Sequence, residues 1–405
     1  MNAKALVGVA GIMISALLAP SAGRAQTPVR PPGPRRPPLP APTPSGLPEM
    51  PAPQQSPGMP AAPAEPPPAP LPRLELAPGR ISDEIKCVGD NRWSYYVYAP
   101  RDYQPDRPWP VLFVISPIGG QPALLHRYVP GADFNGWLVV LPVQPRNDFN
   151  DWTRAALASL NDALRRLPGD PRRIYASGFS GGARMATALA LHIRGIEFAG
   201  LLICGAAQVK ERYPKQLRVY GLSGTNCFNR WEMACLFEKP QHPDWRLEFF
   251  FGEHDWADET ELELGMVWLH AATLRAIAEV PEFYNAERER LANAIAARIG
   301  ELKAAQPERA WDWAERLMLL SDAAAKPLVE ELRRDPKVPR YIEGRAQLAA
   351  FWKKYFATDP ADAVKNDLPS KAVKDSENLA EKYRDSRLAS LFRQMGRPSA
   401  PLPLK

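Results

Sequence analysis

The sequence contains little histidine and little cysteine, which limits the chemistry available to its 405 residues. Any mechanism that depends on histidine must draw on five residues: His126, His192, His242, His254 and His270. The four cysteines do not show the paired spacing of a zinc site: Cys87, Cys204, Cys227 and Cys235. We therefore expect neither a metal ion nor an organic cofactor.

The chain also lacks long blocks of charge of one sign. Its net charge of +6 is spread along the sequence, whereas proteins that bind nucleic acids concentrate basic residues on one surface. We therefore expect no nucleic-acid partner.

The apolar run near the N-terminus, residues 6–18, is too short for a membrane span and is closely followed by prolines. Lys4 precedes the run, and the small residues Gly23 and Ala25 follow it as in a cleavage site. The pattern predicts a signal peptide over residues 1–25. The mature chain would then have no transmembrane segment and would be periplasmic or secreted.

Export would permit disulfide bonds, which form in oxidising compartments. Cys227 and Cys235 lie in one predicted loop and are the candidate pair. Cys204 follows the apolar residues 201–203, which indicates a buried thiol instead.

Changes in composition divide the rest of the chain into four segments. Residues 26–79 are rich in proline and alanine and predict a disordered linker, because they cannot bury enough apolar surface to fold. Residues 80–279 alternate strand and helix patterns, residues 280–397 show helical patterns only, and residues 398–405 predict a disordered tail.

The alternating segment contains short apolar runs of the kind found in buried parallel strands. These runs are residues 93–98, 111–115, 137–141, 174–176, 201–203, 217–220 and 247–251. Helical spacing of apolar residues lies between several of them, at 151–167 and 183–193, and follows the last at 259–277. Such alternation predicts a mostly parallel sheet with crossover helices.

The motif with the clearest chemistry is Gly178-Phe179-Ser180-Gly181-Gly182, which matches G-x-S-x-G. A serine on a sharp strand-to-helix turn needs small neighbours, because the backbone closes on itself there. The motif follows a predicted strand and opens a predicted helix, which is the arrangement that the turn requires. We therefore predict that Ser180 is a nucleophile.

A nucleophilic serine needs a base, and in this motif the base comes late in the chain, after the last strand. His254 follows the run at 247–251 and precedes a helical segment, so it is the candidate. The oxyanion hole needs two backbone donors. We assign them to Gly181, the residue after the nucleophile, and to Ile118 or Gly119 in the turn after the strand at 111–115.

The loop that should supply the acid of a triad, residues 223–229, contains no carboxylate. The nearest acids lie outside it: Glu232, Glu238, Asp255 and Asp258. Cys227 lies in the loop, but a thiol near its free pKa is largely neutral and replaces a carboxylate poorly. Three outcomes stay open: Glu232 folds back to serve as the acid, the site works as a weaker Ser–His dyad, or the domain is inactive.

With these residues placed, residues 92–272 resemble the secreted esterases of the α/β-hydrolase superfamily. The segment looks most similar to the polyhydroxybutyrate-depolymerase and feruloyl-esterase-like group and to dienelactone-hydrolase relatives. The likeness lies in the strand Pro-Val-Leu-Phe-Val-Ile before Gly119-Gly120, in Arg173-Ile174-Tyr175 leading into the serine motif, and in Gly-x-His-x-Trp at 252–256.

Carried over by position, the resemblance implies that Ser180 is the nucleophile and His254 the base. Those families often have aspartate at the position of Cys227. They commonly have a His-Gly pair where this chain has Ser116 and Pro117. Both departures fall at functional positions and bear on the efficiency of the site.

The sequence therefore predicts an α/β-hydrolase-like, mostly parallel sheet followed by an all-helical C-terminal extension. We expect an exported serine hydrolase that acts on a small-molecule or polymeric carboxylic ester through an acyl-enzyme on Ser180. The alternative is a catalytically weak or inactive hydrolase-fold protein that binds or scaffolds at the cell envelope. A third interpretation makes the C-terminal helices a surface for a protein partner.

Overall fold

A computed structural model describes residues 71–238, 240–277, 282–357 and 368–397. The predicted signal peptide, most of the predicted linker, the predicted boundary near residue 280 and the predicted tail lie outside these residues.

The described residues contain one sheet of nine strands. Its strands are β1 (Arg80–Ile81), β2 (Ile85–Lys86), β3 (Ser94–Ala99), β4 (Trp109–Ile115), β5 (Leu138–Pro142), β6 (Gly169–Phe179), β7 (Gly200–Cys204), β8 (Arg218–Gly224) and β9 (Arg246–Phe250). Every predicted strand is present, with ends that differ by a few residues, as terminal assignments commonly do. The short strands β1 and β2 carry no apolar run and were not predicted.

The strands are arranged in the order β1-β3-β5-β4-β6-β7-β8-β9, and β2 also pairs with β3. The pairing of β3 with β5 is antiparallel, and all pairs from β5 through β9 are parallel. From β4 the chain first adds β5 on one side and then crosses to add β6 on the other. In open α/β sheets such a reversal leaves a crevice at the carboxyl ends of the strands, where ligands bind.

The interior strands are buried on both faces, which explains their continuous apolar sequences. Alternate residues of β4 enter two separate apolar clusters. One cluster contains Phe113 and Ile115, and the other contains Leu112 and Val114. The mostly parallel sheet predicted from these runs is confirmed.

Six helices accompany the sheet: α1 (Pro122–Leu125), α2 (Val129–Asn135), α3 (Trp152–Arg166), α4 (Gly181–His192), α5 (Arg230–Glu238) and α6 (Glu259–Ala276). The C-terminal region adds α7 (Glu282–Leu302), α8 (Pro307–Leu320), α9 (Asp322–Leu332), α10 (Lys337–Tyr355), α11 (Ser370–Lys382) and α12 (Leu388–Met395). This confirms a helical C-terminal region. None of the helices in the described part of the chain is both long and apolar enough to cross a bilayer.

The C-terminal helices and the sheet belong to one compact unit and share an apolar core. Phe249 of β9 packs against Trp352 of α10, with ring centroids 6.3 Å apart. Beside this contact, Glu315 of α8 forms ion pairs with Arg246 of β9 at 2.5 Å and with Arg345 of α10 at 2.6 Å. The last parallel strand is therefore covered by helices that lie far from it in sequence.

Candidate active site

Ser180 occupies a sharp turn between β6 and α4, at the point where the strand order reverses. Its backbone angles, φ 53° and ψ −123°, lie outside the regions that L-residues usually adopt. The turn closes tightly enough that a Cβ on Gly178 would lie 2.5 Å from the backbone of Gly182. A Cβ on Gly182 would lie 2.1 Å from the carbonyl oxygen of Ile115 at the end of β4. Close backbone contacts therefore require glycine at positions 178 and 182. Ser180, between them, is the residue with the strained backbone.

His254, in the loop after β9, lies beside this serine. Its Nε2 is 2.9 Å from Ser180 Oγ, which is hydrogen-bond distance for a base and the hydroxyl that it deprotonates. The imidazole ring also contacts Phe228, with ring centroids 3.9 Å apart, and Phe179, at 4.7 Å. Burial lowers the pKa of His254 to about 4; the positive charge of Arg184 acts in the same direction. The histidine is therefore neutral near pH 7, the form that can accept a proton.

Cys227 occupies the position beside the base where a triad has its acid. Its Sγ lies 3.0 Å from His254 Nδ1 and also accepts a hydrogen bond from the Asn229 N–H at 3.4 Å. The residue is fully buried, and burial raises the pKa of the thiol to about 12. The partner of the histidine is therefore a neutral thiol.

A neutral thiol controls the histidine less well than a carboxylate does. A carboxylate only accepts hydrogen bonds, so it selects the tautomer with a proton on Nδ1 and leaves Nε2 free to take the serine proton. The Cys227 thiol both donates and accepts weakly, so it can bond either tautomer of His254. It also offers no negative charge to a protonated imidazole.

The predicted disulfide between Cys227 and Cys235 is wrong. Cys227 is a free cysteine whose sulfur faces His254. Cys235 does not share a loop with it, because residues from Arg230 onward form α5. The sequence pattern did not predict that short helix.

Glu232 is also not the acid of a triad, which corrects that prediction. Its Oε2 pairs with Arg184 Nη2 at 2.5 Å, and its Oε1 accepts a hydrogen bond from the Ala207 N–H at 2.8 Å. It lies in the first turn of α5, and the hydrogen-bond partner of His254 Nδ1 is Cys227. Glu232 instead balances the charge of Arg184, one helical turn after the serine.

The two predicted oxyanion donors come from adjoining segments. The Gly181 N–H is at the first position of α4, where a helix offers no internal acceptor. Ile118 belongs to the turn after β4, which the close contact between Gly182 and Ile115 holds against the start of α4. The Ile118 N–H makes only a long bond to Ser116 Oγ, at 3.3 Å. The two segments that carry the predicted donors are therefore in contact with each other.

Asn147 was not singled out from the sequence, yet its carboxamide lies against Gly181. A Cβ on that glycine would be 1.8 Å from Asn147 Oδ1. The Asn147 N–H donates to the Pro117 carbonyl at 2.8 Å, and the next residue, Asp148, has a φ of 59°. The loop after β5 therefore packs on both segments that carry the predicted oxyanion donors. A lone asparagine in a loop gave no signal of this.

Within the described residues, the histidine, cysteine and acidic side chains form no group suited to hold a metal ion. Two of the histidines without a predicted role, His192 and His270, have side-chain partners. His270 is fully buried, with Nδ1 3.1 Å from Asn135 Oδ1, and His192 lies 3.9 Å from Glu211.

Comparison with known proteins gives matches among solved structures only; no family model and no curated protein matches the chain. FphF, a fluorophosphonate-binding serine hydrolase of Staphylococcus aureus, is 14% identical over 48% of this chain and 99% of its own, with a TM-score of 0.37. A ferulic acid esterase is 12% identical over 47% and 98%, with a TM-score of 0.37. Est1E of Butyrivibrio proteoclasticus is 16% identical over 48% and 98%, with a TM-score of 0.36.

Likeness at these TM-scores carries no functional argument. The class of the domain follows from its own geometry. The strand order, with one reversal and an antiparallel strand toward the edge, and the Ser180 elbow after the central strand β6 together define an α/β-hydrolase-like fold. This part of the prediction is confirmed.

Proposed function

We propose that the protein is a serine hydrolase that cleaves carboxylic esters through an acyl-enzyme on Ser180. The observation that carries the proposal is the 2.9 Å contact between His254 Nε2 and the Oγ of a serine held in a strained elbow. Backbone strain of this kind persists where surrounding structure enforces it, and it is concentrated at active sites.

The proposed reaction is acyl transfer in two steps. His254 Nε2 takes the Ser180 proton as Oγ attacks the ester carbonyl, and the N–H groups of Gly181 and Ile118 stabilise the oxyanion. The imidazolium then gives its proton to the departing alkoxide, which leaves an acyl-serine. In the second step His254 deprotonates a water molecule, the resulting hydroxide attacks the acyl carbon, and Ser180 leaves with the proton returned to it.

The thiol of Cys227 makes this a slow enzyme. Each step passes through a positively charged imidazole, and the site supplies no anion in hydrogen-bond contact with it. In a serine–histidine–aspartate site, losing the correct tautomer and that charge costs about 10⁴-fold in kcat. We therefore propose an esterase of low turnover rather than an efficient one.

The remaining parts of the proposal extend the sequence predictions. We propose export to the periplasm or beyond, with cleavage after residue 25, and a small-molecule or polymeric ester as substrate.

Ser180→Ala should abolish turnover of p-nitrophenyl acetate by the purified protein, because it removes the attacking oxygen. His254→Asn should lower turnover strongly, whereas His192→Asn, which changes an exposed histidine at the end of α4, should leave it unchanged. Rates are measured across p-nitrophenyl esters of several acyl lengths. A wild-type protein no faster than the Ser180→Ala variant on all of them would refute the proposal.

On the acidic side, kcat/KM should decrease only at low pH. The neutral imidazole is the base, and a pKa of about 4 keeps His254 neutral in all but acidic solution. Activity should therefore persist down to about pH 5 and fall only below it. A pH–rate profile with a limb near the ordinary value of 6.5 would contradict the burial argument.

A second candidate function is a binding or scaffold protein that has lost catalysis. The buried neutral thiol beside the base favours it, because the residue that orients and charges a triad is the one replaced. A fluorophosphonate probe separates the two candidates. Covalent labelling of Ser180 supports the esterase, and absence of labelling supports the scaffold.

A further inference from the structure

We propose that Gln394, in the last described helix of the chain, is a positioning residue for the candidate active site. Its carboxamide oxygen joins the loop that carries Cys227 to the loop that carries His254. The inference rests on the proposed function, because it concerns how the reacting groups of that site are kept in line.

The contact is made by one buried oxygen. Gln394, on α12, has only 8% of its surface exposed, and its Oε1 accepts hydrogen bonds from the Gly252 N–H at 2.9 Å and from the Thr225 hydroxyl. Both partners are donors, which identifies the contacting atom as the amide oxygen. Gly252 lies two residues before His254, and Thr225 lies two residues before Cys227.

Gln394 bonds to both loops at the end of a series of backbone hydrogen bonds that joins them. Beyond β8 and β9 the loops stay paired, with the Thr225 N–H donating to Phe250 O at 2.9 Å and the Asn226 N–H donating to Gly252 O at 2.9 Å. The backbones approach so closely that a Cβ on Gly224 would lie 2.0 Å from the Glu253 carbonyl oxygen. A displacement of either loop at this point would carry its catalytic side chain with it.

Arg230 forms a second link between the same loop and α12. It is fully buried, and its guanidinium donates to Thr225 O at 2.7 Å, to Arg397 O at 3.0 Å and to Met395 O at 3.5 Å. In the described part of the chain it forms no ion pair with a carboxylate. The carbonyls at the end of α12 carry the negative end of the helix dipole, which suits a buried cation. Two independent contacts therefore anchor the Cys227 loop to the C-terminal helix.

The contacts that hold the two loops in place matter more in this site than they would in a site where a carboxylate bonds to the histidine. A charge-assisted hydrogen bond is roughly twice as strong as a neutral one and would itself hold the imidazole in place. The contact between the Cys227 thiol and His254 is neutral and involves sulfur, a weak partner. The alignment of His254 Nε2 with Ser180 Oγ then depends on the surrounding backbone, and misplacement by about 1 Å costs about 10²-fold in rate.

The test compares full-length variants by the second-order rate at which a fluorophosphonate labels Ser180 and by their melting temperatures. Gln394→Ala removes the acceptor and should slow labelling about tenfold or more. Gln394→Glu keeps an oxygen acceptor for both donors and should restore the rate to within about threefold of wild type. With p-nitrophenyl acetate, Gln394→Ala should lower kcat and leave KM nearly unchanged.

Leu388→Ala provides the matched control for a loss of stability. Leu388 is buried on the same helix, and its side chain packs on Gly344 of α10. It should lower the melting temperature at least as much as Gln394→Ala and leave the labelling rate within about twofold of wild type. A Gln394→Ala variant labelled at the wild-type rate, or a Leu388→Ala variant slowed as much as Gln394→Ala, would overturn this inference and leave the proposed function standing. Absence of labelling in the wild type would overturn the proposed function and, with it, the inference.

Discussion

Cys227→Asp should raise kcat/KM for p-nitrophenyl esters by about 10²- to 10⁴-fold, the range over which the orienting carboxylate of a serine triad contributes. The new carboxylate would accept the Nδ1 proton of His254, select the productive tautomer and stabilise the imidazolium. It would also raise the pKa of His254, so the acidic limb of the pH–rate profile should move upward from about 4. Steady-state kinetics over a pH series measures both effects.

The site is already suited to an aspartate at this position. The Asn229 N–H now donates to Cys227 Sγ at 3.4 Å. In an Asx-turn an aspartate side chain accepts a hydrogen bond from the backbone N–H two residues later, so an aspartate at position 227 could accept from this same N–H. Arg230, a buried cation at the start of α5, lies in the same segment. The Asn229 N–H would donate to the carboxylate, and the nearby positive charge of Arg230 would stabilise it electrostatically.

Cys227→Asn and Cys227→Ala are the controls for this gain. The asparagine has nearly the shape of aspartate but no charge, and the alanine removes the contact with His254. Neither should exceed wild-type activity. A folded Cys227→Asp protein that is no faster than wild type would show that the thiol is not what limits the rate.

A chain that ends at Ile277 should fail to form a stable fold. It would lack α7 to α12, expose the apolar face of β9 around Phe249, and leave Arg246 and Glu248 without their partners on α8 and α10. Loss of these helices also returns the apolar surface that they bury to water, at a cost of roughly 25 cal/mol for each Å² exposed. A domain's net stability is only about 5–15 kcal/mol. Circular dichroism and thermal unfolding of the soluble fraction measure the outcome.

A chain that ends at Arg397 is the matched control, because it keeps every described helix. It should melt cooperatively, close to the full-length protein. If the chain that ends at Ile277 also melted cooperatively near the full-length temperature, the helices would be a separable module. That result would favour the third interpretation, in which they serve a protein partner.

The sheet could be predicted from the sequence because its strands are buried on both faces. Runs such as residues 111–115 and 201–203 are apolar throughout, which is the pattern that strands of a parallel sheet covered on both faces show. The sequence did not predict the strands β1 and β2, which are only two residues long each. It also did not predict the helix α5, which mixes buried Arg230 and Met233 with half-buried Glu232 and has no clear polar face. The missed helix led directly to the disulfide error.

The contact between Ser180 and His254 could be predicted because both residues follow strand ends whose positions the chain order fixes. The contact between His254 Nδ1 and Cys227 could not be derived from strand positions, since it depends on how two loops fold beyond β8 and β9. The resemblance placed Cys227 at the position of an aspartate, and the structure brings its sulfur within 3.0 Å of the ring nitrogen. Glu232 was the more reasonable acid by chemistry, but the charge of Arg184 holds it elsewhere.

The contacts of α12 with the two loops could not be predicted from the sequence. Gln394 lies 142 residues from Gly252 and 169 from Thr225, and nothing in a helical segment of mixed composition marks one glutamine as a contact to a distant loop. Long-range hydrogen bonds of this kind depend on tertiary packing, which local patterns do not encode.

The most direct test of the central claim is peptide mass mapping of the full-length protein after reaction with a fluorophosphonate. The Ser180 oxygen should attack phosphorus, fluoride should leave, and His254 should take the proton. We expect one adduct, on Ser180, that is absent from Ser180→Ala and much slower to form in His254→Asn. An unmodified Ser180, or a His254→Asn variant labelled at the wild-type rate, would contradict the assignment of this serine and this histidine.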